Sequence, residues 1–317
     1  MSDRRRIAVI GAGVFGRNHL RVVRESERAV LAGVLDTDAA RAQAAAAEFG
    51  CPVLATLEEV AAAADAAIVA VPTVAHCEVA CRLLDEGLDV LVEKPIAASV
   101  GEARAMVEKA AERGRVLQCG HLERFNPAVQ AALRVATIPL FFEIHRLSLF
   151  TPRSLDVSVV SDLMIHDLDI LLSMTASAPD EVRAAGISVL SGKVDIANVR
   201  LSFPNGCVAN LTASRVSTEK VRKLRFFQPG QYVSVDYARQ DCFLVGVGAD
   251  RQVSFRQLPV EQGEPLQRQF DHFLDCLETR ATPLVDGRAA LRALELAREI
   301  LAKIEEHAAL VARHLQA

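Results

Sequence analysis

The stretch "IAVIGAGVFGRNH", residues 7–19, decides how the rest of the chain is read. An apolar run of strand type enters Gly11, and Gly11, Gly13 and Gly16 follow in G-x-G-x-x-G spacing before a helical pattern begins. Each glycine has its own physical reason: Gly11 for a tight turn, Gly13 for close backbone approach to a pyrophosphate, Gly16 for packing of the helix on the strand. Amide groups at the start of the helix then meet the phosphates. The acid Asp36 stands twenty residues past Gly16, at the end of "LAGVLD". A carboxylate there accepts from the ribose hydroxyls of an adenosine and repels a 2′-phosphate. Thr37 and Asp38 follow it directly, with no arginine among them, so the pattern reads as NAD rather than NADP. Val14 and Phe15, between the second and third glycines, are read as cofactor contacts with them.

Outward from this motif, the first 120 residues alternate short apolar runs with helical ones. "AVLAGVLD", "AAIVAVP", "DVLVEKP" and "RVLQCG" are strands, separated by helices over 38–49, 74–86 and 99–113. Continuously apolar strands alternating with helices predict a parallel, doubly wound sheet covered on both faces. Past residue 120 the pattern changes to long β-rich stretches over 181–190, 194–203, 207–216, 221–227, 231–237 and 241–258, with turn signals at "FPNG" and "QPG". Helical pattern near 126–135 and over 158–175 precedes them, and it returns over 265–280 and 286–312. The expected fold class is α/β. Residues 1–120 are expected to form a Rossmann dinucleotide-binding domain, and 121–317 an α+β domain with a mostly antiparallel sheet that binds the substrate.

Composition sets limits. Of 317 residues, 51% are hydrophobic and 24% charged, and the net charge is −4, which gives no electrostatic reason for nucleic acid or an anionic membrane as partner. No apolar stretch approaches the roughly 18–20 residues of a membrane span. The opening "MSDRRRIAVIGAG" does not read as a secretory signal, and seven scattered cysteines do not read as a disulfide framework, so a cytoplasmic location is expected. Cys77 and Cys81 beside His76 make half a metal site at most; no second ligand pair has zinc spacing, so no metal is expected.

In a doubly wound sheet, ligands bind beyond the carboxyl ends of the strands. "VAVPT" and "LVEKP" therefore bring Pro72, Thr73 and the nearby His76, and Glu93 and Lys94, to the nicotinamide half of the cofactor. Glu93 is expected to accept from ribose hydroxyls, and Lys94 to reach a substrate oxygen. In "SDLMIHDLDIL", Asp162 and His166 are i,i+4 and share a helix face, with Asp169 three residues further. A carboxylate beside an imidazole orients it and stabilises the imidazolium formed when it takes a proton.

"GAGVFGRNH", "VPTVAH", "EKPIA" and "DLMIHDLD", in that order, resemble the Gfo/Idh/MocA family of sugar and polyol oxidoreductases along most of the chain. The resemblance implies a second domain with a large open sheet that makes the interface of a homodimer or homotetramer. It places catalytic acid–base work on Lys94 and His166, with Asp162 supporting; either Lys94 or His166 fits as the proton acceptor. "CGHLERFNPAV", residues 119–129, is similar to the nucleotide-sugar branch of the family, as are "TPRSLDVSVVSDLMIHDLDI" and "KLRFFQPGQYVSVDY". That similarity implies NAD-dependent oxidation of the C3 hydroxyl of a UDP-N-acetylhexosamine, UDP-N-acetylglucosamine above all, for a pathway aminotransferase serving 2,3-diamino sugar or lipid A synthesis. Met164–Ile165 stands where many relatives have glycine before the histidine. Asn126 before Pro127 also reads as a plain helix cap. His121, Arg124, Asn126 and Asp169 are expected near the substrate, with Arg153 toward its diphosphate. The alternatives are another dehydrogenase of the family, acting on a UDP-N-acetylglucosaminuronate, an inositol or a simple sugar, and a non-catalytic NAD-binding regulator.

Overall fold

A computed structural model describes residues 4–151, 157–248 and 251–315. The chain divides into two units: one of residues up to Leu122 together with Glu264–Leu291, the other of Glu123–Gly263 with the residues from Arg292 on.

In the first unit, β1 (Arg5–Ile10), β2 (Ala29–Leu35), β3 (Ala66–Val69), β4 (Asp89–Val92) and β5 (Leu117–Cys119) form a parallel sheet in the order β2-β1-β3-β4-β5. The connections are α1 (Val14–Glu25), α2 (Ala39–Phe49), α3 (Leu57–Ala63), α4 (His76–Asp85) and α5 (Val100–Glu112). Local sequence explains their starts. Asp38 and Thr56 cap α2 and α3 by accepting from Arg41 N and Glu59 N, and Ser99 with Glu102 closes a capping box on α5, each cap worth about 1 kcal/mol. The chain leaves β1 toward β2 and comes back to β3 on the other side, which puts the switch point of the sheet between β1 and β3. The Gly11 loop lies there.

The second unit opens with α6 (Pro127–Val135), capped by Asn126 with Pro127 in its first turn. β6 (Phe141–Leu147) follows, then α7 (Ile165–Thr175), β7 (Glu181–Ile187), β8 (Ile196–Ser202), β9 (Val208–Ser214), β10 (Val221–Gln228), β11 (Gln231–Asp236), β12 (Asp241–Val247) and β13 (Val253–Gln257). Among the described residues they make an eight-stranded sheet in the order β13-β12-β11-β10-β6-β9-β8-β7. Its pairings are antiparallel apart from β6 with β9, which is parallel. One face is apolar: Phe142, Ile144, Leu211, Leu224, Phe226, Val233 and Val235 pack into a core with Leu168 and Leu171 of α7.

Two helices complete the chain, α8 (Pro265–Thr279) and α9 (Gly287–Leu315). α8 belongs with the first unit, because its Leu266, Phe270, Phe273, Leu274 and Leu277 cover the sheet face formed by Ile7, Val9, Ala66 and Ile68. A doubly wound sheet needs both faces covered, and the chain returns to supply this layer. Ala293, Leu296, Ala297, Ile300 and Ile304 of α9 join the core of the second unit. Among the described residues no helix is long and apolar enough to cross a membrane, and no cluster of three His, Cys, Asp or Glu side chains could hold a metal ion.

Candidate active site

The cofactor end is built by the first unit. Gly11 has φ +95°, and a methyl there would lie 2.5 Å from the Ala70 carbonyl oxygen; one on Gly16 would lie 1.8 Å from the Gly11 carbonyl oxygen. Those two contacts press the loop against β3 and α1 against the loop. Gly13 is different: the space a methyl would take is open. It is the N-cap of α1, makes no side-chain cap, and no acid stands in the first turn. The amide groups of that turn therefore present a positive, sterically open end, which fits a pyrophosphate. Val14 and Phe15 are exposed there at 63% and 41%. Pro72 and Thr73 follow β3, Pro72 exposed and Thr73 half-buried. NAD fits this cradle.

Asp36 braces the same loop. Its Oδ2 accepts from Ala12 N at 2.7 Å and its Oδ1 from Asp38 N at 2.8 Å. The fold also brings up Arg41, which the adjacent residues Thr37 and Asp38 did not foreshadow. Its Nη1 lies 3.5 Å from Asp36 Oδ2, and its Nη2 donates to Asp38 Oδ2 at 3.2 Å.

In the turn after β4, the Lys94–Pro95 bond is cis. Lys94 is half-buried. His76 is buried, with Nδ1 3.0 Å from the Pro95 carbonyl and Nε2 3.0 Å from the Val71 carbonyl. It thus clamps the turn after β4 to the loop after β3. Burial holds its pKa below the ordinary histidine value against those two hydrogen bonds, so in the neutral ring the single N–H donates to one of the two carbonyls. The ring that the sequence reading put against the cofactor is occupied in this clamp. Glu93, 6% exposed, is also turned into the protein: Oε1 accepts from His19 Nε2 at 2.7 Å and Oε2 from the Lys94 backbone N–H at 3.2 Å. Any contact to ribose hydroxyls must use the lone pairs those bonds leave. His121 is buried near the end of this unit.

The second unit holds Asp162 and His166. The segment Val160–Met164 is a π turn that runs into α7, closed by a bond from Ile165 N to Val160 O. The straight α-helical register expected for the i,i+4 pair is thereby widened, and such turns recur at functional positions. Asp162 is half-buried and His166 buried. Arg124 and Asp169, both expected at the substrate, meet each other: Arg124 Nη1 lies 3.3 Å from both carboxylate oxygens of buried Asp169. Asn126 uses its amide within the fold, accepting from Ala128 N at 3.1 Å and donating to the Tyr237 carbonyl at 3.0 Å. Arg153 lies outside the described residues.

Two groups escaped the sequence reading. One is His19, three residues past Gly16 in the opening motif. The other is Arg146 on β6, which grips Asp167, the neighbour of His166. A second acid directly after the histidine, in "HDLD", was the available signal for the latter.

Residues 5–121 match the oxidoreductase family with an NAD-binding Rossmann fold, and residues 142–228 match the GFO/IDH/MocA C-terminal domain. The chain is 36% identical over 307 residues to a UDP-N-acetylglucosamine 3-dehydrogenase of Acidithiobacillus ferrooxidans, covering 95% of this chain and 97% of that protein. A solved structure of the UDP-N-acetylglucosamine 3-dehydrogenase GnnA from the same organism superposes with a TM-score of 0.91 at 34% identity, covering 96% and 99% of the two chains. The scyllo-inositol 2-dehydrogenase (NAD(+)) of Bacillus subtilis is 26% identical, with 93% of each chain covered.

Proposed function

Given that the chain belongs to the GFO/IDH/MocA oxidoreductase family, we propose that it oxidises the C3 hydroxyl of UDP-N-acetylglucosamine to the 3-keto nucleotide sugar with NAD. The observation that carries the reading is the 36% identity to a UDP-N-acetylglucosamine 3-dehydrogenase, which extends along 95% of the chain rather than over the dinucleotide unit alone. When bound, NAD accepts the hydride that leaves C3. The open end of α1 would hold its pyrophosphate, and Asp36 its adenosine ribose. His166, supported by Asp162, takes the hydroxyl proton as the C–H bond breaks and the carbonyl forms. The Lys94 ammonium stabilises the negative charge that develops on the oxygen, where electrostatic demand is greatest. A ketone at C3 is what an aminotransferase consumes, so the reaction stands before amination to a 2,3-diamino sugar, as lipid A synthesis requires.

The test is a substrate panel with NAD: UDP-N-acetylglucosamine, its uronate, free inositol and free glucose, each followed by NADH absorbance. Turnover confined to the first is expected. Turnover of inositol or glucose with none on a UDP-sugar overturns the reading. Lys94→Ala and His166→Asn should each lower kcat by about 10²–10⁴-fold while NAD binding, measured by calorimetry, persists.

A further inference from the structure

We propose that His19 is a positioning residue for the Lys94 turn and acts through Glu93. The inference rests on the assignment of Lys94 to the substrate oxygen and adds to it a residue 74 positions earlier in sequence than Glu93. His19 is completely buried, and its Nε2 lies 2.7 Å from Glu93 Oε1. An ionised carboxylate only accepts, so the proton on this line sits on Nε2. The other oxygen of the same carboxylate holds the backbone N–H of Lys94 at 3.2 Å. One carboxylate therefore ties α1, whose N-terminus is the proposed phosphate end, to the backbone of the residue that carries the ammonium. Gly120, just past β5, leaves room for it: a methyl there would lie 2.9 Å from Glu93 Oε2.

Two observations set this bond apart from ordinary packing. His19 Nδ1 is buried and has no hydrogen-bond partner. A ring with one dry nitrogen costs stability that an apolar side chain would not, which leaves the bond to Glu93 as the reason for a histidine. Burial alone would also raise the Glu93 carboxyl. The His19 hydrogen bond, with the charges of His19 and Lys94, outweighs burial and holds it below the ordinary carboxylate value. The titratable groups that face Glu93 are His19 on α1, Lys94 beside it in the turn, and His76 at the start of α4.

The experiment compares wild type with His19→Leu, which removes the donor, and His19→Gln, which keeps one. Expected for His19→Leu is a kcat lower by about 10–100-fold, the size of a lost charge-assisted hydrogen bond. NAD affinity by calorimetry should stay within a few-fold. The acid limb of the kcat/KM profile should move toward neutral pH, since Glu93 then protonates more easily. His19→Gln should recover most of kcat and return the limb. Gly120→Ala, which displaces the carboxylate with His19 intact, should lose kcat in the same way, and it carries the test if His19→Leu does not fold. Unchanged kcat and an unmoved acid limb in His19→Leu overturn the proposal. So does a fall in NAD affinity parallel to kcat, which would make His19 a support of the phosphate loop. Full turnover in Lys94→Ala would sink the parent assignment instead, whatever the His19 variants do.

Discussion

The guanidinium of Arg146 holds both carboxylate oxygens of Asp167, through Nε at 2.7 Å and Nη2 at 2.8 Å. Its remaining arm, Nη1, donates to Glu123 at 2.9 Å, and the Tyr237 ring lies 4.9 Å from its central carbon. Tyr237 in turn donates to Asp167 Oδ1 at 3.1 Å. Arg222, 3.7 Å from Glu123, balances the second acid, so the four charges sum to zero. Burial works to lower the Arg146 pKa, and the two carboxylates more than reverse it; burial and then Asp167 push the Tyr237 hydroxyl up, so it stays a neutral donor. This group ties α7, and with it His166, to β6. Arg146→Met leaves two buried carboxylates facing each other and is expected to cost about 3–5 kcal/mol. Urea unfolding measures it, and the Arg146→Met/Asp167→Leu pair should cost less than the two single changes added together.

Arg41 makes cofactor choice a contest between neighbours. In the proposed site the carboxylate of Asp36 would meet a 2′-phosphate, and Arg41 is engaged by Asp38. Asp36→Ser removes both the ribose acceptor and the repulsion. The expected outcome is a KM for NAD raised about 10–100-fold, as for a lost hydrogen bond to a charged group, with kcat/KM for NADP rising. Adding Arg41→Ala should remove that gain. Steady-state kinetics with both cofactors decide it, and an unaltered preference in Asp36→Ser contradicts the assignment.

Acid should weaken the second unit through Asp195. Its buried Oδ2 accepts backbone N–H groups of Val189, Leu190 and Ser191 at 2.7, 2.7 and 2.8 Å, and Oδ1 accepts the Ser191 hydroxyl at 2.6 Å. Burial works to raise this carboxyl, but the Ser191 hydroxyl and those amides hold it far below the usual range. Because the folded value is depressed, the unfolded chain binds more protons in acid. The stabilisation is complete above the unfolded pKa of about 4 and fades as pH falls below it. Asp195→Asn is expected to cost about 1.5–3 kcal/mol near neutrality, and the gap from wild type should narrow at low pH. A gap independent of pH in urea titrations would falsify the linkage.

The parts legible in sequence are those whose signal is local. Gly11, Gly13, Gly16 and Asp36 could be read in one pass because the motif and its strand–helix context are contiguous. β3 and β4 showed as continuous apolar runs because both faces of that sheet are buried. β6 did not show, since Glu143, His145 and Arg146 break "FFEIHRL" with charge; one of them, Arg146, points into the unit and is neutralised by residues from α7 and the turn before α6. α8 was legible as a helix but not as a layer of the first unit, because amphipathic pattern names a face and not its partner. The same limit hid His19: nothing in "GRNH" says that a carboxylate 74 residues on will accept its N–H.

The outer face of the large sheet carries a row that follows from register alone. Val208 pairs with Phe141, Phe141 with Phe227, Phe227 with Tyr232, Tyr232 with Val245 and Val245 with Phe255, an apolar line across six strands. The rings touch in sequence, Phe141 to Phe227 at 5.7 Å between centroids and Phe227 to Tyr232 at 4.9 Å. Two residues along the strands the face turns polar, with Arg225 donating to Glu143 at 3.0 Å. A partly exposed apolar stripe with a charged rim has the anatomy of an interface core; its Phe227 is 39% exposed and Phe255 at the sheet edge 80%. A second copy of this chain is the expected occupant, since a two-fold axis lets one self-complementary stripe cover another. Phe227→Asp then places a carboxylate at its centre and should convert a homo-oligomer to monomers in sedimentation velocity. The melting temperature should fall with it, because the uncovered stripe loses the burial the partner supplied. A wild-type chain that sediments as a monomer, or a Phe227→Asp variant of unchanged mass, would show that this face meets no second copy.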